Sequence, residues 1–203
     1  TTLLEKGFDA IVYWSKPVFE ASGKPIEIAV QPLDVRFEKR TFVISTRVYT
    51  VTLKFITDTG RPVKDLEVVV TWPEGVTASR GTTDENGLFV LGAQVPVGKY
   101  DVEATYKGVK VYSGIVTVDS NIDEKTWSAG KGLLRCAIYD IAIKVLSPTG
   151  APLSHATVTV VSEPTGERWS ATLNGEGKTT LTDVVGGKLT ITIDSWKNVE
   201  IKK

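Results

Sequence analysis

Apolar and polar residues alternate along several short segments of this chain. The clearest segment has apolar side chains at every second position, at Tyr49, Val51, Leu53 and Phe55. A period of two places alternate side chains on one face of a β-strand, so this segment predicts a strand with one buried face. β-Branched residues recur in DLEVVV and HATVTV, and Gly and Pro lie between such runs. Since no segment has an apolar stripe with the helical period of about 3.6 residues, the pattern predicts an all-β fold.

The chain contains a repeat of 90 residues. The segment YTVTLKFITDTGRPVKDLEVVV begins at Tyr49, and the similar segment YDIAIKVLSPTGAPLSHATVTV begins at Tyr139, 90 positions later. Self-similarity at a constant offset is the signature of tandem domains built from the same strands. Identical residues hold this register at Gly60 and Gly150, Pro62 and Pro152, Val68 and Val158, Val70 and Val160, and Gly87 and Gly177.

One repeat consists of about seven short strands separated by turns, the pattern of an immunoglobulin-like sandwich. The predicted fold class is therefore all-β, with tandem immunoglobulin-like β-sandwich domains. We expect a complete sandwich at 47–119, a linker at 120–137 and a second sandwich at 138–203. The second sandwich is expected to lack its last strand, because VEIKK matches VKVYS and no later residues match the strand GIVTV.

The first 46 residues are similar to the end of a repeat. Three of their residues, Phe8, Asp9 and Trp14, match Tyr100, Asp101 and Tyr106 at an offset of 92. We interpret 1–46 as the C-terminal part of a preceding repeat, or a donor-strand segment, followed by a linker. The chain is then expected to begin and end inside domains.

Several motifs of the first repeat occur together in a known group of domains. The order G-x-P, V-x-V, T-D-E-N-G-x-F and P-V-G-K-Y-x-V resembles the carboxypeptidase regulatory-like and CNA-B-like β-sandwich superfamily. The resemblance covers 48–118 well and 138–203 in part. Such domains are common in archaeal cell-surface proteins, so the resemblance implies an extracellular or cell-surface role in a surface layer, stalk or filament. It brings no catalytic residues with it.

Charge and residue counts exclude several other functions. Lys plus Arg and Asp plus Glu both total 24, so no net field attracts nucleic acid. No apolar run approaches the roughly 18–20 residues that span a bilayer. With His155 as the one histidine and Cys136 as the one cysteine, the chain offers neither a zinc site nor a catalytic nucleophile beside a base. We therefore do not expect an enzyme.

Two ligand classes stay open on sequence grounds. Calcium prefers carboxylate and carbonyl oxygens, and such groups are dense in the linker, although solvated turns also explain them. Polysaccharide would stack on exposed aromatic rings, for which Trp72 and Trp169 are the candidates because both lie beside turns. No other cofactor is expected. The candidate calcium ligands are Asp119, Asn121, Asp123 and Glu124.

A sandwich that lacks a strand exposes unpaired backbone groups and an apolar groove, and a strand from another subunit can satisfy both. We therefore expect a non-catalytic structural component that self-associates by strand donation, or that adjoins further domains of a longer chain. The alternative is a polysaccharide-binding accessory module. The candidate donor residues alternate within two N-terminal segments, as Ala10, Val12 and Trp14, and as Ile26, Ile28 and Val30.

Overall fold

The structure is a computed structural model that describes residues 47–72 and 77–195, together with the backbone of four short strands before them. The described residues form sixteen strands and one helix. In chain order these are β1 (Phe8–Ile11), β2 (Tyr13–Trp14), β3 (Lys16–Pro17), β4 (Glu27–Val30), β5 (Val48–Ile56), β6 (Glu67–Thr71), β7 (Thr77–Thr82), β8 (Leu88–Pro96), β9 (Gly98–Tyr106), β10 (Val109–Val118), α1 (Glu124–Trp127), β11 (Leu133–Arg135), β12 (Ile138–Lys144), β13 (Thr157–Ser162), β14 (Arg168–Thr172), β15 (Lys178–Val185) and β16 (Leu189–Ser195).

The first sandwich consists of two sheets, one in the order β10-β9-β6-β7 and the other in the order β11-β5-β8. The alternation predicted from Tyr49 onward is confirmed, because Val51, Leu53 and Phe55 are fully buried between the sheets. Tyr100 is also buried, and its hydroxyl donates a hydrogen bond to the Pro96 carbonyl oxygen at 2.6 Å. This bond ties the start of β9 to the end of β8.

The second sandwich repeats the same strands. One sheet has the order β14-β13-β16, and the other pairs β12 with β15. Strands β12 to β16 follow one another as β5 to β9 do in the first sandwich, in agreement with the 90-residue repeat. The prediction of tandem all-β sandwiches is therefore confirmed.

The turn between the third and fourth strands of each repeat is built in the same way. In the first, the Asp84 carboxylate accepts hydrogen bonds from the backbone N–H groups of Asn86 and Leu88, at 2.9 and 2.8 Å. In the second, the Asn174 side-chain oxygen accepts from the N–H groups of Glu176 and Lys178, at 2.9 and 3.0 Å. Since Asp and Asn both offer this oxygen, the repeats keep one turn although its sequence differs.

Residues 120–137, predicted to be a linker, pack against the first sandwich. Ile122 is fully buried, and β11 pairs in parallel with β5. Between them lies α1, from which the Trp127 ring N–H donates to the Thr52 carbonyl oxygen at 3.1 Å. The segment folds back because Ile122 and Leu134 join the core, so it completes the first sandwich instead of spacing the two repeats.

The two sandwiches meet through a shared apolar contact. Ile138 and Val185 are opposite each other at the start of the second sandwich, and both belong to the core cluster of the first. The Asp58 N–H donates to the Ile138 carbonyl oxygen at 3.1 Å, and the Ala137 N–H donates to that of Val111 at 2.8 Å. The second repeat therefore begins inside the core of the first.

We predict that Gly87→Ala destabilises the first sandwich more than Gly60→Ala does. Both glycines have positive φ, 71° and 92°, so either alanine is strained by roughly 1–2 kcal/mol. A Cβ atom at Gly87 would also lie 2.4 Å from the Phe55 carbonyl oxygen, whereas one at Gly60 would have no heavy atom within 4 Å. We expect Gly87→Ala to lower the free energy of unfolding by about 1–2 kcal/mol more. Urea denaturation followed by tryptophan fluorescence measures this, and equal losses would contradict it.

Candidate assembly surface

The last described strand of the second sandwich, β16, presents apolar side chains on its core face. Ile193 lies opposite Val158 and Ile191 lies opposite Val160 in the antiparallel pairing with β13. Residues opposite each other across two strands point to the same side of a sheet. Since Val158 and Val160 are fully buried in the core, Ile191 and Ile193 are on the core face as well.

The equivalent positions of the first sandwich show how this face differs. Val102 and Ala104 on β9 lie opposite Val70 and Val68, the same register that Ile191 and Ile193 have. Both residues of β9 are 0% exposed, whereas Ile191 is 47% exposed and Ile193 is 46% exposed. The second sandwich thus has an uncovered strip on its core face where the first is closed. We call Ile191, Ile193 and the outer edge of β16 the open strip.

Two strands cover the corresponding strip in the first sandwich. β10 pairs antiparallel with the outer edge of β9, and β11 pairs in parallel with the outer edge of β5. They add Val116, Val118 and Leu134 to the core. Within the described residues, the outer edges of β16 and β12 have no such strands. The outer edge of β16 thus has no partner strand among the described residues, and an edge of this kind can pair with another strand.

The structure places three of the six candidate donor residues in one pair of strands. β1 pairs antiparallel with β4, so that Ala10 lies opposite Ile28, and Val30 lies opposite Phe8. Trp14 is in β2, opposite Lys16 of β3. Val12 and Ile26 lie outside the described residues. The two predicted donor segments are therefore partners of each other in this chain.

Three of the four candidate calcium ligands have other partners in the protein. Asp119 forms an ion pair with Lys131, which lowers the pKa of the Asp119 carboxyl. The Asn121 side-chain oxygen accepts from the Thr50 N–H at 3.0 Å, and the Asp123 carboxylate caps α1 by accepting from the Lys125 N–H at 3.0 Å. Glu124 is exposed. Within 47–72 and 77–195 no three acidic, His or Cys side chains form a group that could hold a metal ion, and calcium stays a prediction.

The prediction that Trp72 is exposed is wrong. Its side chain is buried in the first sandwich and lies against Tyr100, with ring centroids 4.6 Å apart. The side chain lies inside because Trp72 ends the core-facing alternation of β6, so the ring is part of the sandwich and not of the turn after it. Trp169 is half-buried and packs on the core of the second sandwich. Neither ring forms an exposed platform for a sugar.

The two residues with potential chemistry occupy structural positions. Cys136 is buried in the core cluster of the first sandwich. Burial raises the pKa of its thiol to about 12, so the thiol stays protonated and the reactive thiolate does not form at neutral pH. His155 has a positive φ of 60°, as does Asp65 at the equivalent position with 56°. His and Asp are among the residues that accept this conformation, so a turn explains His155.

An ionic cluster lies at the junction between the repeats. The Arg61 guanidinium is 2.5 Å from Asp140 and 3.0 Å from Asp183, both in the second sandwich. The hydrogen bond from Arg61 holds the pKa of the Asp140 carboxyl below its usual range, and one from Thr59 at 3.1 Å adds to this effect. Two carboxylates around one guanidinium favour a single orientation of the repeats.

Sequence reasoning missed this cluster. The signal was available as a break in the repeat, because Arg61 aligns with Ala151 and Asp140 aligns with Thr50 at the offset of 90. A charge that occurs in one copy alone does not serve the common fold. It is a candidate for contact between copies.

No family model matches the chain, and no curated protein matches it. A streptococcal ancillary pilin is 14% identical, with 85% of this chain and 62% of that chain covered and a TM-score of 0.32. The shaft pilin SpaA from Lactobacillus rhamnosus GG is 11% identical, with 71% and 85% covered and a TM-score of 0.34.

A C-terminal fragment of the pilus adhesin SpaC from the same organism is 11% identical, with 75% of this chain and 77% of that chain covered and a TM-score of 0.27. Similarity at this level does not extend to function. The resemblance to carboxypeptidase regulatory-like and CNA-B-like domains stays a prediction as regards family.

We predict that Arg61→Gln raises the pKa of Asp140 toward its ordinary value of about 4. A lowered pKa in the folded state means that the Asp140 carboxylate stabilises the junction above about pH 4 and loses this effect as the pH falls through the lowered value. NMR titration of the Asp140 carboxyl measures the change.

Lys64→Gln is the matched control, because it removes one positive charge from an exposed pair with Glu85 at 3.3 Å, and neither residue belongs to the ionic cluster. Its Asp140 titration should equal that of the unchanged protein. An unchanged Asp140 pKa in Arg61→Gln would show that the ionic cluster does not form.

Proposed function

We propose that this chain is a non-catalytic structural component of an extracellular assembly, a surface layer, stalk or filament, and that it assembles by strand donation to the second sandwich. The observation that carries this proposal is the exposure of Ile191 and Ile193, whose counterparts in the first sandwich are fully buried. Isoleucine at a strand edge that has no partner strand among the described residues favours the addition of a strand.

The junction supports a structural role. Tandem domains act as a spacer only if their orientation is restrained, because an interface with few contacts allows relative motion. Here Ile138 and Val185 enter the core of the first sandwich, and Arg61 holds two carboxylates of the second. These contacts restrain the orientation of the two sandwiches, as a stalk or filament requires.

The other function classes have less support. Catalysis would use a nucleophile beside a base, but Cys136 is buried and His155 belongs to a turn. Polysaccharide binding would use exposed rings, but Trp72 is buried. Within the described residues, no helix has the length and hydropathy to cross a membrane.

We predict that the chain forms oligomers whose formation depends on the open strip. Replacing Ile191 and Ile193 by Thr keeps the β-branched shape but removes apolar surface. Fully burying an isoleucine contributes about 1.5–3 kcal/mol. The double variant should therefore associate about 100-fold more weakly or worse. Light scattering across a concentration series measures the association, and negative-stain microscopy shows whether the oligomers are regular.

Val90→Thr is the matched control, because Val90 is 67% exposed on the outer face of the first sandwich, away from the open strip. It should associate like the unchanged protein. The proposal fails if the unchanged protein stays monomeric at every concentration. It also fails if the Ile191 and Ile193 double variant associates as strongly as the Val90→Thr control.

A further inference from the structure

We propose that the strand which covers the open strip is β4 of a second copy of this chain, paired antiparallel with β16 in the place that β1 holds in the isolated copy. The inference rests on the proposed function, since it names the strand that is donated. It also states the register, with Ile28 opposite Ile191 and Val30 opposite Leu189.

The β1–β4 pair corresponds to the β9–β10 pair. Phe8 and Asp9 match Tyr100 and Asp101 in sequence, which places β1 at the position of β9. β4 pairs antiparallel with β1 just as β10 pairs antiparallel with β9. β4 is therefore the counterpart of the strand that closes the first sandwich.

β16 corresponds in the second sandwich to β1 in the N-terminal strand pair. Ile191 corresponds to Val102 because both lie opposite the equivalent residue of the second strand, Val160 or Val70. Ala10 corresponds to Val102 at the offset of 92. Since Ala10 lies opposite Ile28 in the β1–β4 pair, a β4 strand on β16 places Ile28 opposite Ile191.

The direction of β4 and its face toward the core decide which edge of β4 can pair with β16. Once the direction of a strand and its core-facing side are fixed, only one of its two edges can form hydrogen bonds with a given antiparallel neighbour. In β4 that edge is the one that pairs with β1. β16 can therefore take β4 only by replacing β1. Among the described residues β1 and β4 pair only with each other, and a pair of two strands is marginally stable in water, so another strand can replace β1.

The residues of β4 and β16 are complementary in the proposed register. On the core face, Leu189 and Ile191 meet Val30 and Ile28, all apolar. On the outer face this register brings Thr190 opposite Ala29 and Thr192 opposite Glu27, so no like charges face each other. The alternation of β4 thus suits a site whose inner face is apolar and whose outer face is polar.

The larger side chains of β16 agree with a donated strand. Ile193 stands where the first sandwich has Ala104, and Ile191 stands where it has Val102. In the first sandwich, β10 covers these positions from within the same repeat. Wider side chains on β16 offer more apolar surface to an incoming strand, and burial of that surface favours association.

The experiment is a disulfide cross-link between two single-cysteine variants in the full chain, Ala29→Cys and Thr190→Cys. In the proposed register the two residues are direct neighbours on the outer face, at a distance that a disulfide can span. Mixing the variants under mild oxidation should give a covalent dimer at least about tenfold faster than either variant gives alone. Cys136 stays silent because it is buried.

Ala29→Cys mixed with Thr192→Cys is the matched control. The two cysteines share a face but are displaced by two residues, roughly 7–8 Å apart, so the dimer should form at least about tenfold more slowly. Equal rates for the two mixtures would overturn the register. A double variant carries both Ala29→Cys and Thr190→Cys. If its disulfide forms only within one chain, the role of a second copy is overturned.

A synthetic peptide of residues 23–31, GKPIEIAVQ, tests the same strand without changing the protein. The peptide should inhibit oligomer formation, and the same peptide with Ile28→Asp should not, because a charge would enter the core. If oligomers form but neither the cross-link nor the peptide affects them, the identity of the donor is overturned and the proposed function stands. If the unchanged chain never associates, both proposals fail.

Discussion

The covering of the inner face of β9 is the interaction on which the first sandwich depends. Val102 and Ala104 of β9 are fully buried because β10 pairs along the outer edge and the segment after β10 folds back over the core. That return brings Ile122 and Leu134 into the same core. An edge strand with an apolar inner face is stable in water only with such a cover, so the path of the chain from β9 to β11 follows from one requirement.

The second repeat has the same strands and turns but a different environment at the equivalent strand. Its buried side chains divide into two small clusters, one around Val160 and one around Val158, where the first repeat has one continuous core. Among the described residues, similar strands and turns therefore form a closed sandwich in the first repeat and an open one in the second, where no strands correspond to β10 and β11.

The junction links the two environments. The chain leaves β11 through Cys136, whose N–H donates to the Ile56 carbonyl oxygen at 2.8 Å, and reaches Ile138 inside the first core. Arg61 then meets Asp140 and Asp183 at the surface. Apolar contact provides the attachment, while the ionic cluster favours one orientation, since charged hydrogen bonds depend more strongly on direction than apolar contact does.

The amino-acid sequence by itself determined the strands, the turns and the repeat. Alternation placed Val51, Leu53 and Phe55 on a buried face, and the 90-residue offset matched the two sandwiches strand for strand. These features depend on neighbouring residues, which is why a linear pattern contains them. Only the tertiary structure decided that Trp72 is buried, that residues 120–137 complete the first sandwich, and that Arg61 meets Asp140. Each of these features depends on residues that are distant in sequence. The exposure of Ile191 does so as well, because its strand alternates like a core strand but only another segment can cover the side chain.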